Sequence, residues 1–414
     1  MTPLQSLEAM RLTICTLAIC SAPFAQGVGQ QPQPLTRAQA VASALAHGPR
    51  IAVATADTML AAGQLLTARA YPNPALSASY TKSTPNYHVT AEVPLDFLGL
   101  RSTRIRSADA ARTAARYRFA YDRASVVLDA DTTYTRALAA MAHVQLSQRN
   151  AVAADSVRRI AMARRDAGDA SELDVQIATI SAGQSANLAA ADTLALASTL
   201  LDLQAVIGMA PDHIAVTPTD SLLAPPVVAM ASSGESTLPV ASATAAVESA
   251  LLAANLQHRS VFLLPSFIFG FETGDPTGAE PGILPTFGIA IPLPFFNRNR
   301  GPIAEAEAVR QRAAAELELA RVESQARIAQ ARRAEAAAHV RVTRDSLLVT
   351  SANRVAEMSL TAYREGAAPL ATVIEAQRSA REILAQYIDD LAAAAIAAAT
   401  LRVLTLTPSS VSMP

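Results

Sequence analysis

The chain has no tryptophan, two cysteines and little charge: 17% of its 414 residues are Asp, Glu, Lys or Arg, and 4% are aromatic. Each shortage excludes something. A formal net charge of -1 offers no basic face with which to displace phosphate counterions, so nucleic-acid binding is not expected. With 51% hydrophobic residues the chain is too apolar to be disordered. Mean hydropathy is +0.22. Yet beyond the N-terminus no uncharged, proline-free apolar run reaches the ~20 residues of a spanning helix. The longest, 391–401, stops at eleven. Composition therefore fits neither a helical membrane protein nor an ordinary soluble one.

Both cysteines sit in one N-terminal segment. Arg11, the apolar stretch 12–20 and small residues as far as Ala25 read as a secretory signal peptide over 1–25, with cleavage near Ala22 or Ala25. Met10 competes with Met1 as the start, because the residues before it include Glu8 and add nothing to a basic n-region. Leu17–Ala18–Ile19–Cys20 has the outline of a lipobox, but Ile19 stands where Gly, Ala or Ser belongs, so lipidation of Cys20 stays open. The mature, exported chain is expected to have no disulfide and no Cys-ligated metal.

An internal repeat organises the rest. Val93–Pro94–Leu95–Asp96–Phe97 resembles Ile291–Pro292–Leu293–Pro294–Phe295, and Arg165–Asp166–Ala167–Gly168 resembles Arg364–Glu365–Gly366. Pro94 and Pro292, Gly168 and Gly366, and Ala178 and Ala376 all stand 198 residues apart. Three matches at one offset indicate a duplication. The first repeat covers 35–208, a Pro-, Ser- and Thr-rich connector 209–239, the second repeat 240–406, and a tail 407–414.

Within each repeat the pattern is helical over long distances. From about 101 to 166 and from 301 to 365 the chain is rich in Ala, Arg, Glu and Gln, which lose little rotamer freedom in a helix. Such helices would be near 100 Å long at ~1.5 Å per residue, which implies coiled-coil-like packing. Ser102 is a candidate N-cap for the first, and Pro302 sits in the first turn of the second. Gly168 and Gly366 end them, and Ser171 with Asp174, or Pro369, restarts the chain. Each long helix thus turns back as a hairpin, with tips at about 166–174 and 365–370 and return helices to about 206 and 404. Opening helices are expected from the Thr36–Gln39 capping box to about Ala70, and over 241–258.

Eleven of the 18 aromatic residues fall in the windows 71–97 and 262–297, where the hydrophobic period switches to two. Four strands are expected there, at about 75–82, 87–97, 264–273 and 284–295. Each is largely apolar on one side and small or polar on the other. A soluble sheet would need its apolar face covered, and the remaining Ala-rich helix has few bulky residues to spare. Strands of near ten residues suit a transmembrane β-barrel. Four cannot close one, and open edges are not tolerated in lipid, so closure would come from other copies of the chain.

An exported chain with a duplicated helix–strand–strand–long helix–return helix plan resembles the TolC-like outer-membrane efflux family. The resemblance is carried by Tyr71–Pro72–Asn73–Pro74, by Val93–Pro94–Leu95, by the tip segment Gly168–Asp169–Ala170–Ser171–Glu172–Leu173–Asp174–Val175, and by its weaker copy from Gly366 to Ala376. It implies a mainly α fold with a membrane β part: a homotrimer whose 12-stranded outer-membrane β-barrel continues as a periplasmic α-helical barrel. It also implies partners, namely outer-membrane lipid, a periplasmic adaptor protein and an inner-membrane pump of the resistance-nodulation-division type. The chain looks most like the branch serving heavy-metal or small-molecule export, though the substrate itself is not readable.

Nothing suggests an enzyme or a cofactor. The six histidines are scattered without metal-ligand spacing, and no phosphate loop or Gly-x-Ser-x-Gly occurs. In the implied trimer Asp169, Glu172 and Asp174, with Glu365 and Glu375 opposite, would form carboxylate rings that attract cations and gate a narrowing tunnel. Asp174 serves equally well as a helix cap. Arg165 and Arg364 are candidates to latch these carboxylates. Gly168, Leu173 and Val175, with Gly366 and Leu370 in the second copy, are candidates for an exposed adaptor contact. The competing reading is a periplasmic adaptor, which would carry one hairpin between lipoyl-like β halves.

Overall fold

The computed structural model describes residues 32–410 except 97–98, 211, 227–235, 262–263, 276 and 279–281. The expected signal peptide with Cys20, the strand end at Phe97, part of the connector and the last four residues of the tail lie outside the described residues. In the first half the order is β1 (Gln33–Leu35), α1 (Arg37–His47), α2 (Pro49–Arg69), β2 (Ala75–Tyr80), β3 (Tyr87–Pro94), α3 (Leu100–Asp166) and α4 (Glu172–Val206). The second has β4 (Val216–Pro218), α5 (Leu238–Arg259), β5 (Ser266–Thr273), β6 (Leu284–Ala290), α6 (Arg300–Arg364) and α7 (Leu370–Leu404).

The opening helix is two helices rather than one. Thr36 and Gln39 form the capping box of α1, but Pro49 has no N–H to continue the ladder and becomes the first residue of α2 instead. α2 is long and apolar enough to cross a membrane; its buried residues, among them Ile51, Ala61 and Leu65, turn inward where it packs along α3. Ser102 is not the cap of α3. That role falls to Gly99 at φ 77, and the Ser102 hydroxyl donates to the Gly99 carbonyl at 2.8 Å.

α3 and α6 have 67 and 65 residues, roughly 100 Å each. The return helices α4 and α7 have 35 residues apiece, about half that length. Each long helix is therefore flanked by a return helix along one half and by a short helix along the other: α2 and α5 lie on α3, and α5 also on α6. Small side chains such as Ala120, Ala124, Ala130 and Ala137 are buried along α3, which lets neighbouring backbones approach closely.

Midway along α3 a core of Ala40, Ala44, Val126, Tyr134, Leu138, Leu200, Leu203 and Ile207 packs α1, α3 and α4 together. β1 and β4 pair in parallel over it. The buried Tyr134 hydroxyl lies 2.8 Å from both the Leu35 carbonyl and the Asp220 carboxylate. Burial raises the Tyr134 pKa, reinforced by its bond to Asp220. Arg37 and Arg402, from opposite ends of the chain, both reach Asp131.

The other four strands form one antiparallel sheet in the order β2-β3-β5-β6. They have six, eight, eight and seven residues, shorter than the alternation suggests. β6 stops at Ala290 because Pro292 and Pro294 lack the N–H that a ladder needs. Register puts Ala78 beside Val89, Val89 beside Phe271, Ala91 beside Phe269, Phe269 beside Phe287 and Phe267 beside Ile289. One face is thus continuously apolar across all four strands. Among the described residues both outer strands have a free edge.

Candidate functional site

The two hairpin tips are built alike. At the first, Gly168 takes φ 86, its N–H donates to Arg165 O at 2.9 Å and the next N–H, of Asp169, to Arg164 O at 2.8 Å. At the second, Gly366 takes φ 77, with Gly366 N–H to Tyr363 O at 3.1 Å and Ala367 N–H to Ala362 O at 2.8 Å. This is the Schellman arrangement, and it requires a residue without Cβ because the left-handed backbone strains any L side chain. Ser171 and Asp174 then cap α4 reciprocally: Asp174 N–H donates to Ser171 Oγ and Ser171 N–H to Asp174 Oδ2, each at 3.1 Å.

The tips are joined by Arg164. Its Nη1 donates to Tyr363 O at 2.6 Å and its Nη2 to Asp169 O at 3.3 Å, while the guanidinium lies 4.8 Å from the Tyr363 ring centroid. Beneath it Val157, Ala161, Val175, Ala178, Tyr363, Leu370 and Val373 form a small core shared by both hairpins. Burial raises the Tyr363 pKa, and its hydroxyl has no partner among the described residues. A cavity of about 310 Å³ opens between the tips, lined by Arg164, Asp169, Asp174, Tyr363, Gly366 and Leu370 among others.

Sequence reasoning singled out Arg165 and missed Arg164 and Tyr363. Arg165 stays within its own tip, 2.6 Å from Asp166 and 3.1 Å from Glu172. Hydrogen bonds from Gln176 and then Arg165 hold the Glu172 carboxyl below its usual range. Arg364 and Glu365 make no side-chain hydrogen bond or ion pair among the described residues; Glu375 pairs with Arg378 at 3.2 Å. Asp169 offers Arg164 its carbonyl rather than its carboxylate, and the Asp174 carboxylate is occupied by the cap. Among the expected contact residues, Gly168, Leu173 and Gly366 are exposed. Val175 and Leu370 are not surface: they are buried, 6% and 2% exposed, because the helical period turns them toward the opposite hairpin. One signal could have marked Tyr363, as it is the sole aromatic residue of α6.

At the far end of the long helices, the second face of the sheet is polar and cross-linked. Ser77 and Thr90 hydroxyls meet at 2.7 Å, Thr81 Oγ1 and His88 Nε2 at 3.1 Å, and His88 Nδ1 and Glu272 at 3.3 Å. Ser266 donates to Glu92. Ile268 and Leu284 are large apolar residues on this side, Ile268 opposite Glu92 and Gly288, and Leu284 opposite Glu272. A sheet apolar on one face and hydrogen-bonded on the other suits lipid outside and water inside.

Residues 40–209 match the family model described as outer membrane efflux protein. The fold extends the likeness over nearly the whole chain. A membrane protein from Pseudomonas aeruginosa superposes with a TM-score of 0.75 at 18% identity, covering 89% of this chain and 93% of that one. The outer membrane protein VceC of Vibrio cholerae gives 0.71 at 17%, covering 89% and 95%. The CmeC outer membrane channel of Campylobacter jejuni gives 0.73 at 15%, covering 89% and 85%. This is the TolC-like outer membrane efflux fold. Among curated protein sequences none matches.

Proposed function

We propose that this chain is the outer-membrane exit channel of a tripartite efflux system, a passive trimeric conduit for small molecules or metal ions gated at its hairpin tips. One observation carries the reading: a four-stranded sheet with one largely apolar face and two edges unpaired among the described residues, continuous with two hairpins whose tips pack together. In lipid each unpaired edge is untenable. Three copies joined edge to edge give a 12-stranded barrel, with Thr90, His88, Glu272 and Glu92 facing the lumen and the helices continuing as a tunnel. Repeats 35–208 and 240–406 then contribute two strands and one hairpin each.

At the periplasmic end Arg164 holds the two hairpins of one copy together, which narrows the tunnel mouth. Asp169, Glu172 and Glu365, repeated by threefold symmetry, would ring that mouth with carboxylates and favour cations. Arg364, unpaired in one copy, is placed to reach a neighbour. Exposed Gly168, Leu173 and Gly366 offer the contact for a periplasmic adaptor, with Val175 and Leu370 supporting them from inside. An inner-membrane pump of the resistance-nodulation-division type would supply the cargo and the energy, and the branch serving heavy-metal or small-molecule export is the one the chain most resembles. The adaptor reading needs a single hairpin between lipoyl-like halves, and two hairpins on one sheet support the channel instead.

The mass of the protein extracted in detergent from the outer-membrane fraction tests this. Light scattering should give about three times the chain mass after the detergent is subtracted. A monomer recovered from the soluble periplasm would overturn the channel.

A further inference from the structure

At the helix-bearing end of the sheet, four helix ends converge. Arg101 donates to Arg69 O at 2.7 Å, and Arg104 to Ala68 O at 3.1 Å, tying the end of α2 to the start of α3. Asn299 Nδ2 donates to Gln257 O at 2.8 Å, tying the end of α5 to the start of α6. Arg104 also neutralises Asp96 at 2.7 Å. What remains is positive. Arg69, Arg259, Arg298 and Arg300 are exposed, and their side chains make no hydrogen bond or ion pair among the described residues. The first acid on α6 is Glu305, more than a turn in, and Glu307 is already held by Arg310 and His258.

The same end is aromatic. Below β6 the apolar face runs on through exposed Ile291 and Leu293 to Phe295 and Phe296, 73% and 105% exposed. Tyr71, also exposed, carries the Arg101 guanidinium 4.2 Å from its ring centroid. Aromatic rings beside guanidinium groups, at the edge of an apolar band, are the composition of a membrane–water interface.

We propose that this collar binds anionic glycerophospholipids of the periplasmic leaflet, their phosphates taken by Arg259, Arg298 and Arg300 and their acyl chains lying against Phe295 and Phe296. The inference rests on the membrane-barrel reading above. Continuity with the apolar sheet face points to lipid rather than to a soluble anion. A guanidinium matches a phosphate through two parallel hydrogen bonds. Unpaired arginines favour a headgroup of net negative charge over a zwitterionic one, whose own ammonium would face them.

The test uses the full chain, reconstituted into vesicles of phosphatidylethanolamine and phosphatidylglycerol, re-extracted, and analysed for co-purifying lipid by native mass spectrometry. The wild type should retain phosphatidylglycerol several-fold above its share of the vesicle. An Arg298→Gln/Arg300→Gln variant should fall back to the bulk ratio while keeping the trimer mass and single-channel conductance. Bulk composition on the wild type, or enrichment that survives the double substitution, would overturn the collar and leave the channel standing. A variant that loses the trimer without changing the lipid would place these arginines against a neighbouring copy, which also overturns it. A chain that fails to insert into vesicles at all sinks the barrel reading, and the collar with it.

Discussion

Adjacent arginines at the first tip hold different partners, and the helical period decides which. Arg164 points across to the Tyr363 carbonyl, whereas Arg165 points along its own hairpin to Glu172. A hydrogen bond with one charged partner contributes about 1.5–3 kcal/mol when buried. Arg164 is partly solvated, so about 1.4 kcal/mol, or a tenfold shift in an open–closed equilibrium, is the reasonable expectation. Arg164→Ala should therefore raise channel open probability in planar bilayers about tenfold. Arg165→Ala should leave it unchanged, and equal effects from both would refute the latch. Farther along the second hairpin, burial and then the hydrogen bond and charge of Asp390 push the Asp345 carboxyl up. Burial also works to raise Asp390, but hydrogen bonds from Arg341, Gln386 and Asp345 outweigh it and hold that carboxyl down. The folded state thus keeps the Asp345 proton, so its contribution is present below the ordinary carboxylate range and lost as pH rises through its raised value. Asp390 behaves oppositely, contributing above that range and losing its contribution as pH falls through its depressed value. Asp345→Asn, which stays neutral, should gain more in melting temperature at about pH 8 than at about pH 4. The same gain at both would refute the shared proton.

At the scale of elements, the tips and the sheet depend on glycine for different reasons. Gly168 and Gly366 need their left-handed backbone, since a Cβ on Gly168 would meet nothing and on Gly366 only an Arg164 side-chain nitrogen at 3.5 Å. Alanine at either should destabilise the hairpin by about 1–2 kcal/mol, read by urea unfolding monitored in the helical far-ultraviolet signal. Gly270 needs space: a Cβ there would lie 2.3 Å from Val89 O on the paired strand. Gly288, one strand over, would touch only Ile268 at 3.8 Å. Gly270→Ala should sharply reduce the yield of membrane-inserted protein while Gly288→Ala preserves it. Equal yields would mean that the sheet adjusts freely at this position. The element plan was legible because period and punctuation are local. All four sheet strands lie inside the two aromatic windows, and both long helices stop where Gly168 and Gly366 stand. Boundaries were less legible where two signals competed. Pro49 split an otherwise continuous helical pattern, and Pro292 and Pro294 ended a strand whose alternation runs on.

For the whole molecule the question is how the outer strands are satisfied. Among the described residues β2 and β6 each pair on one side only, and in the proposed trimer each meets the other strand of the next copy. A scan of cysteine pairs, one in β2 and one in β6, should give disulfide-linked species that end at three chains. The natural cysteines, both before residue 21, would not interfere once a signal peptide is removed. A ladder that stops at two, or continues past three, would overturn the threefold closure.

By itself the sequence determined the kind of element at nearly every point, the apolar and polar sides of each strand, and the resemblance to a TolC-like channel. Those properties follow from residue type and spacing within a few turns, where propensity, capping and period act. Only the tertiary structure decided which side chains meet. It put Val175 and Leu370 inside the tip, turned Asp174 to its cap, let Arg164 rather than Arg165 bridge the two hairpins, and aligned four strands so that their apolar sides share one face. Partners nearly 200 residues apart, such as Arg164 and Tyr363, are brought together by how two hairpins pack, and no local pattern encodes that choice.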